Sequence, residues 1–140
     1  MKRWLFIIGT GFFLLINVAM ETAGHAQEEM KRITVQLSEY RFEPSRIELS
    51  VGQETELVLV NNGKTMHEFI TEALQTLTVE VEVQGVITET LGVAELEIPM
   101  DGKVTLRFTP EKPGEFLIAC RAREPKDHFK EGMEGRLLIR

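Results

Sequence analysis

The chain has 140 residues, of which 43% are hydrophobic, and a formal charge of -6 at pH 7. These values are typical of one globular domain and exclude an intrinsically disordered chain. The negative charge argues against nucleic acid as a partner, because phosphate binding requires a positive surface. The chain has one cysteine, Cys120, so it cannot form an internal disulfide and its stability must come from its core.

The first 26 residues have the three parts of a secretory signal peptide. Lys2 and Arg3 form a charged start, residues 4–16 are an apolar run, and residues 24–26 offer small side chains for cleavage. The apolar run is short for a membrane-spanning helix, which needs about 20 apolar residues. We therefore predict cleavage and a periplasmic location. The alternative is an uncleaved segment that anchors the protein to the membrane.

Most of the remaining chain predicts short β-strands, because apolar and polar residues alternate with a period of two. Strands are predicted at 33–37, 46–50, 56–60, 66–71, 77–83, 104–108, 116–120 and 135–140. Residues 61–63 and 110–114 are predicted turns. Residues 88–95 fit either a loop or a short helix. Many short strands joined by turns predict an all-β sandwich or barrel.

Four residues form a candidate metal site: His67, Cys120, His128 and Met133. The last three occur as Cys-x7-His-x4-Met, and His67 lies far upstream. One thiolate, two imidazoles and one thioether are the ligands of a type 1 (blue) copper site, in which methionine is a weak axial ligand. Sulfur ligands suit Cu(I) and imidazole accepts Cu(II). The motif therefore predicts one copper ion that cycles between these two oxidation states.

The strand pattern supports this interpretation. Cys120 has the same parity as Phe116 and Ile118, so we expect it to point into the core. His128 and Met133 follow on a predicted loop, which can surround one ion more easily than a straight strand. Each residue alone has an ordinary explanation, since a buried cysteine is often only a small hydrophobe and methionine fills gaps. Their order and strand context together predict a metal site.

The chain resembles the cupredoxins, the family of plastocyanin, azurin, pseudoazurin and amicyanin. The resemblance covers nearly all of residues 27–140 and is carried by four segments: residues 40–44 (YRFEP), 47–52 (IELSVG), 57–63 (LVLVNNG) and 113–120 (PGEFLIAC). It implies one cupredoxin domain at 27–140, folded as a Greek-key β-sandwich of about eight strands. It also implies that the metal lies between loops at one end, with copper ligands His67, Cys120, His128 and Met133.

Two features depart from this resemblance. The separation of Cys120 from His128 is longer than in plastocyanin, azurin or amicyanin, and is closer to the loop of copper nitrite reductases. Glu68 follows the upstream histidine where plastocyanin and azurin have an asparagine that helps to tie the ligand loops together. That tie, and the hydrogen bonding it supports at the cysteine sulfur, is therefore not implied for this chain. Both features can shift the reduction potential or turn a blue site green.

The predicted function is that of a monomeric carrier of single electrons between redox partners, such as a c-type cytochrome or a copper enzyme. We expect electrons to pass through His128 at the loop surface. The alternative is copper delivery, storage or tolerance in the periplasm, which the heavily charged segment 121–134 favours. A metal-free binding module would require the complete ligand set to be a coincidence.

No enzyme is predicted. A binuclear copper centre of the oxidase type needs two cysteines, and the chain has one. Structural zinc sites generally use four cysteine or histidine ligands, and the mature chain offers three. Cys120 and His128 could form a hydrolase pair, but no oxyanion site accompanies them in the sequence.

Overall fold

The computed structural model describes residues 29–140, so the predicted signal peptide at 1–26 lies outside the described residues. Residues 29–140 form eleven β-strands and one 3-10 turn at Glu72–Leu74. The strands are β1 (Lys31–Ser38), β2 (Arg41–Glu43), β3 (Arg46–Leu49), β4 (Thr55–Asn61), β5 (His67–Phe69), β6 (Thr78–Val83), β7 (Val86–Leu91), β8 (Leu96–Ile98), β9 (Lys103–Phe108), β10 (Gly114–Ala119) and β11 (Glu134–Ile139). From residue 29 onwards, no helix has the length and apolar character needed to cross a membrane.

The strands form a six-stranded sheet in the order β2-β1-β4-β9-β6-β7, a three-stranded sheet in the order β10-β11-β3, and the pair β5-β8. The pairs β1–β4 and β3–β11 are parallel, because the chain crosses between the two larger sheets before each pair closes. The other pairs are antiparallel. The predicted all-β Greek-key sandwich is confirmed.

The predicted number of about eight strands was too low. Strands β2 and β8 have three residues each, which is too short to show an alternating pattern. Residues 88–95, expected as a loop or short helix, begin within β7, which pairs with β6 along its whole length. Nearly all of β7 is exposed, so neither face has to be apolar and the alternation is lost.

The core lies between the six-stranded and three-stranded sheets. The strand registers place Val35 beside Leu59, Leu59 opposite Val104, and Leu57 opposite Leu106, all on one face. The smaller sheet contributes further buried side chains to the same core: Ile47, Leu49, Ile118, Leu137 and Ile139. Burying one such side chain is worth about 1.5–3 kcal/mol. A shift of one residue would move these side chains into water, so the core determines the register and with it the position of the strand ends.

Candidate metal centre

Three of the four predicted ligands converge at one end of the sandwich. His67 is on β5, Cys120 follows β10, and His128 lies in the loop between β10 and β11. His67 Nδ1 is 3.1 Å from His128 Nδ1, and Cys120 Sγ is 3.3 Å from the same nitrogen. All three side chains are fully buried, and their ligand atoms lie within 4.8 Å of one another. One ion can therefore contact two imidazoles and one sulfur.

Backbone hydrogen bonds bring the strands of His67 and Cys120 together. Ile70, just after β5, pairs with Ala119 at the end of β10: each residue's N–H donates to the other's carbonyl, at 3.1 and 3.0 Å. Ile118 and Cys120 both belong to the hydrophobic core, which confirms that the cysteine points into the core. The core and this bridge thus place the thiol beside His67.

Asn61, a fully buried residue at the end of β4, shapes the turn that leads to His67. Its Nδ2 donates to the Thr65 carbonyl and to the Ile98 carbonyl, each at 2.8 Å. Its Oδ1 accepts the Gly63 N–H at 2.8 Å. These three hydrogen bonds satisfy the amide of Asn61, whose burial without partners would destabilise the fold. The turn signal at 61–63 is therefore also part of the support for the site.

His128 presents Nδ1 to the centre because its other ring nitrogen is used elsewhere. His128 Nε2 lies 3.0 Å from the Glu124 carbonyl, which can only accept, so Nε2 carries the proton and donates. In a neutral ring, Nδ1 then has no proton and carries a lone pair, and this nitrogen faces His67 Nδ1 and Cys120 Sγ. A cation at this point would be attracted by donor atoms from three residues at once. The donor set and its orientation fit a copper ion.

Burial favours the neutral forms of both Cys120 and His67, with different consequences for metal binding. It raises the pKa of the Cys120 thiol, because the buried site disfavours the thiolate. It also lowers the pKa of His67, which keeps the imidazole neutral and able to donate a lone pair. Cys120 would hold copper as the thiolate, so its thiol proton would have to leave when the ion binds.

Glu68 ties the two ligand segments together, although asparagine is absent from this position. Its backbone N–H donates to Cys120 Sγ at 3.2 Å, and its Oε2 accepts the Arg121 N–H at 2.9 Å. The Glu68 side chain is buried, which raises its pKa. The link between the ligand loops, which asparagine provides in plastocyanin and azurin, is therefore present here through Glu68. A backbone donor reaches the sulfur whatever the side chain, and the carboxylate supplies the link between the loops.

We expect Glu68→Ala to weaken copper binding about tenfold, because residues that orient metal ligands typically contribute 10- to 100-fold to affinity. Glu68→Gln should retain most of the affinity, since its amide oxygen can still accept the Arg121 N–H. A competition titration against a copper chelator measures both values. Equal affinities for the alanine variant and the unmodified protein would contradict this role.

Met133 is fully buried, and its main chain is bonded to two of the ligand residues. Its N–H donates to the His128 carbonyl at 2.9 Å, and its carbonyl accepts the Cys120 N–H at 3.2 Å. These bonds hold Met133 beside the cluster at the base of β11. Its role as the axial ligand remains a prediction.

Met133→Leu is expected to raise the reduction potential. Removing a thioether donor destabilises Cu(II) more than Cu(I), and the apolar replacement dries the site. Copper should remain bound, because both imidazoles and the thiolate are still present. Voltammetry measures the shift, and Met66→Leu is the control, because Met66 is 40% exposed. An unchanged potential in Met133→Leu would mean that its sulfur is not near the metal.

The prediction that His128 lies at the loop surface was wrong. The ring is fully buried, with the Glu124 carbonyl on Nε2 and the Tyr40 ring packed edge-on at a centroid distance of 5.1 Å. The residue's own N–H donates to the Ala122 carbonyl at 2.9 Å. The long segment between Cys120 and His128 therefore folds back over the ring, an arrangement that residue spacing alone does not reveal.

A β-sandwich with a buried His-Cys-His cluster at one end defines a cupredoxin-like protein. Residues 10–137 match the model of the cupredoxin-like domain family, and the chain belongs to that family. The sequence has no significant match among curated proteins. The buried cluster and the family together support copper binding.

Three solved structures share the fold. Auracyanin B has 16% identity and a TM-score of 0.55, covering 79% of this chain and 88% of its own. Copper nitrite reductase from Nitrosomonas europaea has 12% identity and a TM-score of 0.61, covering 79% of this chain and 49% of its own. A multicopper oxidase has 8% identity and a TM-score of 0.60, covering 79% and 44%. The chain thus spans about half or less of the two enzymes' chains, and these identities establish the fold alone.

Proposed function

We propose that this protein is a type 1 copper protein that carries single electrons between redox partners outside the cytoplasmic membrane. The observation that carries the proposal is the convergence of His67 Nδ1, His128 Nδ1 and Cys120 Sγ in a fully buried cluster. Copper bound there supplies one-electron chemistry between Cu(I) and Cu(II). The predicted signal peptide, periplasmic location and monomeric state belong to the same proposal.

The surrounding residues would keep the ligands still in both oxidation states. Glu68, next to His67, bonds to the Cys120 sulfur through its N–H and to the Arg121 N–H through its carboxylate. The main chain of Met133 bonds to the main chains of Cys120 and His128. The site is also closed to water, because no ligand side chain is exposed. A rigid, dry cluster reorganises little when its charge changes, which favours electron transfer.

Electrons would reach the protein surface through the groups that cover His128. Tyr40 is only partly buried and packs against the His128 ring, and the Glu124 carbonyl covers His128 Nε2. A partner such as a c-type cytochrome would therefore dock over Tyr40 and the 121–127 segment rather than against the ligand itself. No catalytic role is proposed.

Absorption and electron paramagnetic resonance spectra of the copper-loaded protein test the site. We expect an intense visible band from thiolate-to-copper charge transfer and a narrow copper hyperfine splitting in the Cu(II) form. A colourless Cu(II) complex with a wide splitting would refute the type 1 assignment.

Copper delivery is the second candidate function, and two exposed methionines favour it. Met66 directly precedes His67, and Met100 lies two residues beyond Ile98, the β8 partner of His67. Their side chains are 40% and 57% exposed. Thioethers bind Cu(I), so these residues could pass the ion to an acceptor at this end of the sandwich.

Two mixing experiments separate the candidates. The Cu(I) protein is mixed with a metal-free copper acceptor and, separately, with an oxidised periplasmic c-type cytochrome. A carrier should reduce the cytochrome rapidly and keep its copper through repeated cycles. Rapid copper transfer with slow reduction of the cytochrome would favour delivery, and Met66→Leu with Met100→Leu should then slow that transfer.

A further inference from the structure

His67 has one ring nitrogen that the proposed copper site does not use. Within residues 29–140, His67 Nε2 is a buried side-chain nitrogen without a hydrogen-bond partner. The carboxylate of Glu39 approaches it, with Oε1 at 4.0 Å. Buried polar atoms in folded proteins nearly always have partners, so this nitrogen requires an explanation.

A backbone hydrogen bond holds the Glu39 carboxylate near His67. Its Oε1 accepts the backbone N–H of Lys64, in the turn that leads to His67. This bond is the main reason that the pKa of Glu39 lies below its usual value, so the carboxylate is ionised at neutral pH. Gly63 leaves the space between the two groups, because a Cβ atom there would lie 2.5 Å from His67 Nε2 and 2.9 Å from Glu39 Oε1.

A metal on Nδ1 determines what Nε2 must do. The neutral imidazole has one proton, and a metal at Nδ1 leaves that proton on Nε2, where it needs an acceptor. Metal-bound histidines almost always donate this second N–H to a carboxylate, a carbonyl or water. The separation of 4.0 Å is too long for a hydrogen bond, and a shift of about 1 Å by the Glu39 side chain would form one. That side chain is 31% exposed and has room to move.

We propose that Glu39 is a positioning residue for His67, which accepts the Nε2–H and holds the ring with Nδ1 toward the metal. This inference rests on the proposed function, in which His67 is a copper ligand. A carboxylate acceptor makes the imidazole a stronger donor and compensates positive charge at the metal. Glu39 therefore also stabilises Cu(II) relative to Cu(I) and lowers the reduction potential.

Zn(II) tests the inference without any redox chemistry, because it accepts histidine and cysteine ligands. In the full chain, we expect Glu39→Ala to lower Zn(II) affinity about tenfold. Glu39→Gln should lose less, since its amide oxygen still accepts a hydrogen bond. Glu43→Gln is the control: Glu43 is an exposed acid four residues away, so this variant removes the same charge, whereas the acid that approaches His67 is Glu39. Circular dichroism of the metal-free variants checks that they fold.

Nitrogen-15 NMR of the Zn(II)-loaded protein gives a readout that a purely structural role would not change. We expect a His67 Nε2–H signal that exchanges slowly with water in the unmodified protein and rapidly in Glu39→Ala. In the copper-loaded protein, a tenfold fall in the ratio of Cu(II) to Cu(I) affinity would raise the potential by about 59 mV.

The outcomes distinguish this inference from the proposed function. Glu39 variants that match Glu43→Gln in affinity, exchange and potential would overturn the inference, even if copper gave the expected thiolate band. A His67 proton on Nδ1 in the Zn(II) form would also overturn it. Conversely, a copper complex without the band would refute the proposed electron carrier, while the expected Zn(II) results would still support the role of Glu39.

Discussion

Replacing Cys120 with serine is expected to abolish the intense visible band of the copper-loaded protein while the fold is retained. The band arises from charge transfer between sulfur and copper, and a hydroxyl is a hard, weakly acidic ligand that cannot reproduce this bond. The fold should persist because serine is close to cysteine in size. Its hydroxyl can also accept the Glu68 N–H that now reaches the sulfur.

Absorption spectra of the copper-loaded protein and circular dichroism of the metal-free protein check the two parts of this expectation. Met66→Leu serves as the control, because it changes an exposed sulfur and should leave the band intact. An unchanged colour in Cys120→Ser would show that another group supplies the chromophore. A loss of β-sheet signal would instead show that the thiol is needed for folding.

Gly63→Ala is expected to lower copper affinity about 100-fold, at the upper end of the effects seen for residues that orient metal ligands. An added Cβ would lie 2.5 Å from His67 Nε2, 2.9 Å from Glu39 Oε1 and 3.1 Å from Asn61 Oδ1. The His67 ring is fully buried and cannot move aside without displacing Nδ1 from the other ligands. Overpacking of this kind should also lower the free energy of unfolding by about 1–3 kcal/mol.

A competition titration with a copper chelator and a denaturant titration of the metal-free protein measure these two quantities. Lys64→Ala is the matched control: it alters an exposed residue of the same turn and keeps the backbone N–H that binds Glu39. Copper affinity in Gly63→Ala equal to that of Lys64→Ala would mean that the turn relaxes and that His67 does not depend on the space at Gly63.

The longer strands could be predicted from the sequence because each buries one face. In β9, the buried side chains of Val104, Leu106 and Phe108 alternate with those of polar residues, and this pattern follows directly from the side-chain period of two. Strand β7 could not be predicted in this way, because it is an exposed edge strand that pairs only with β6. Its position depends on β6 rather than on a buried face of its own.

The sequence by itself determined which donor atoms this protein offers to a metal. Ligand chemistry depends on residue type, and the order of Cys120, His128 and Met133 within one segment could be recognised without coordinates. Cys120, directly after β10, has the same parity as Ile118, which also predicted that its thiol lies inside the core.

Only the tertiary structure decided how that site is enclosed. The burial of His128 under the 121–127 segment, the link from Glu68 to Arg121 and the approach of Glu39 to His67 all involve groups from different segments of the fold. No sequence pattern relates residue 39 to residue 67, or residue 68 to residue 121. These contacts depend on strand registers that the core sets. The enclosure of the candidate site therefore follows from packing between strands, whereas the set of candidate donor atoms follows from the sequence.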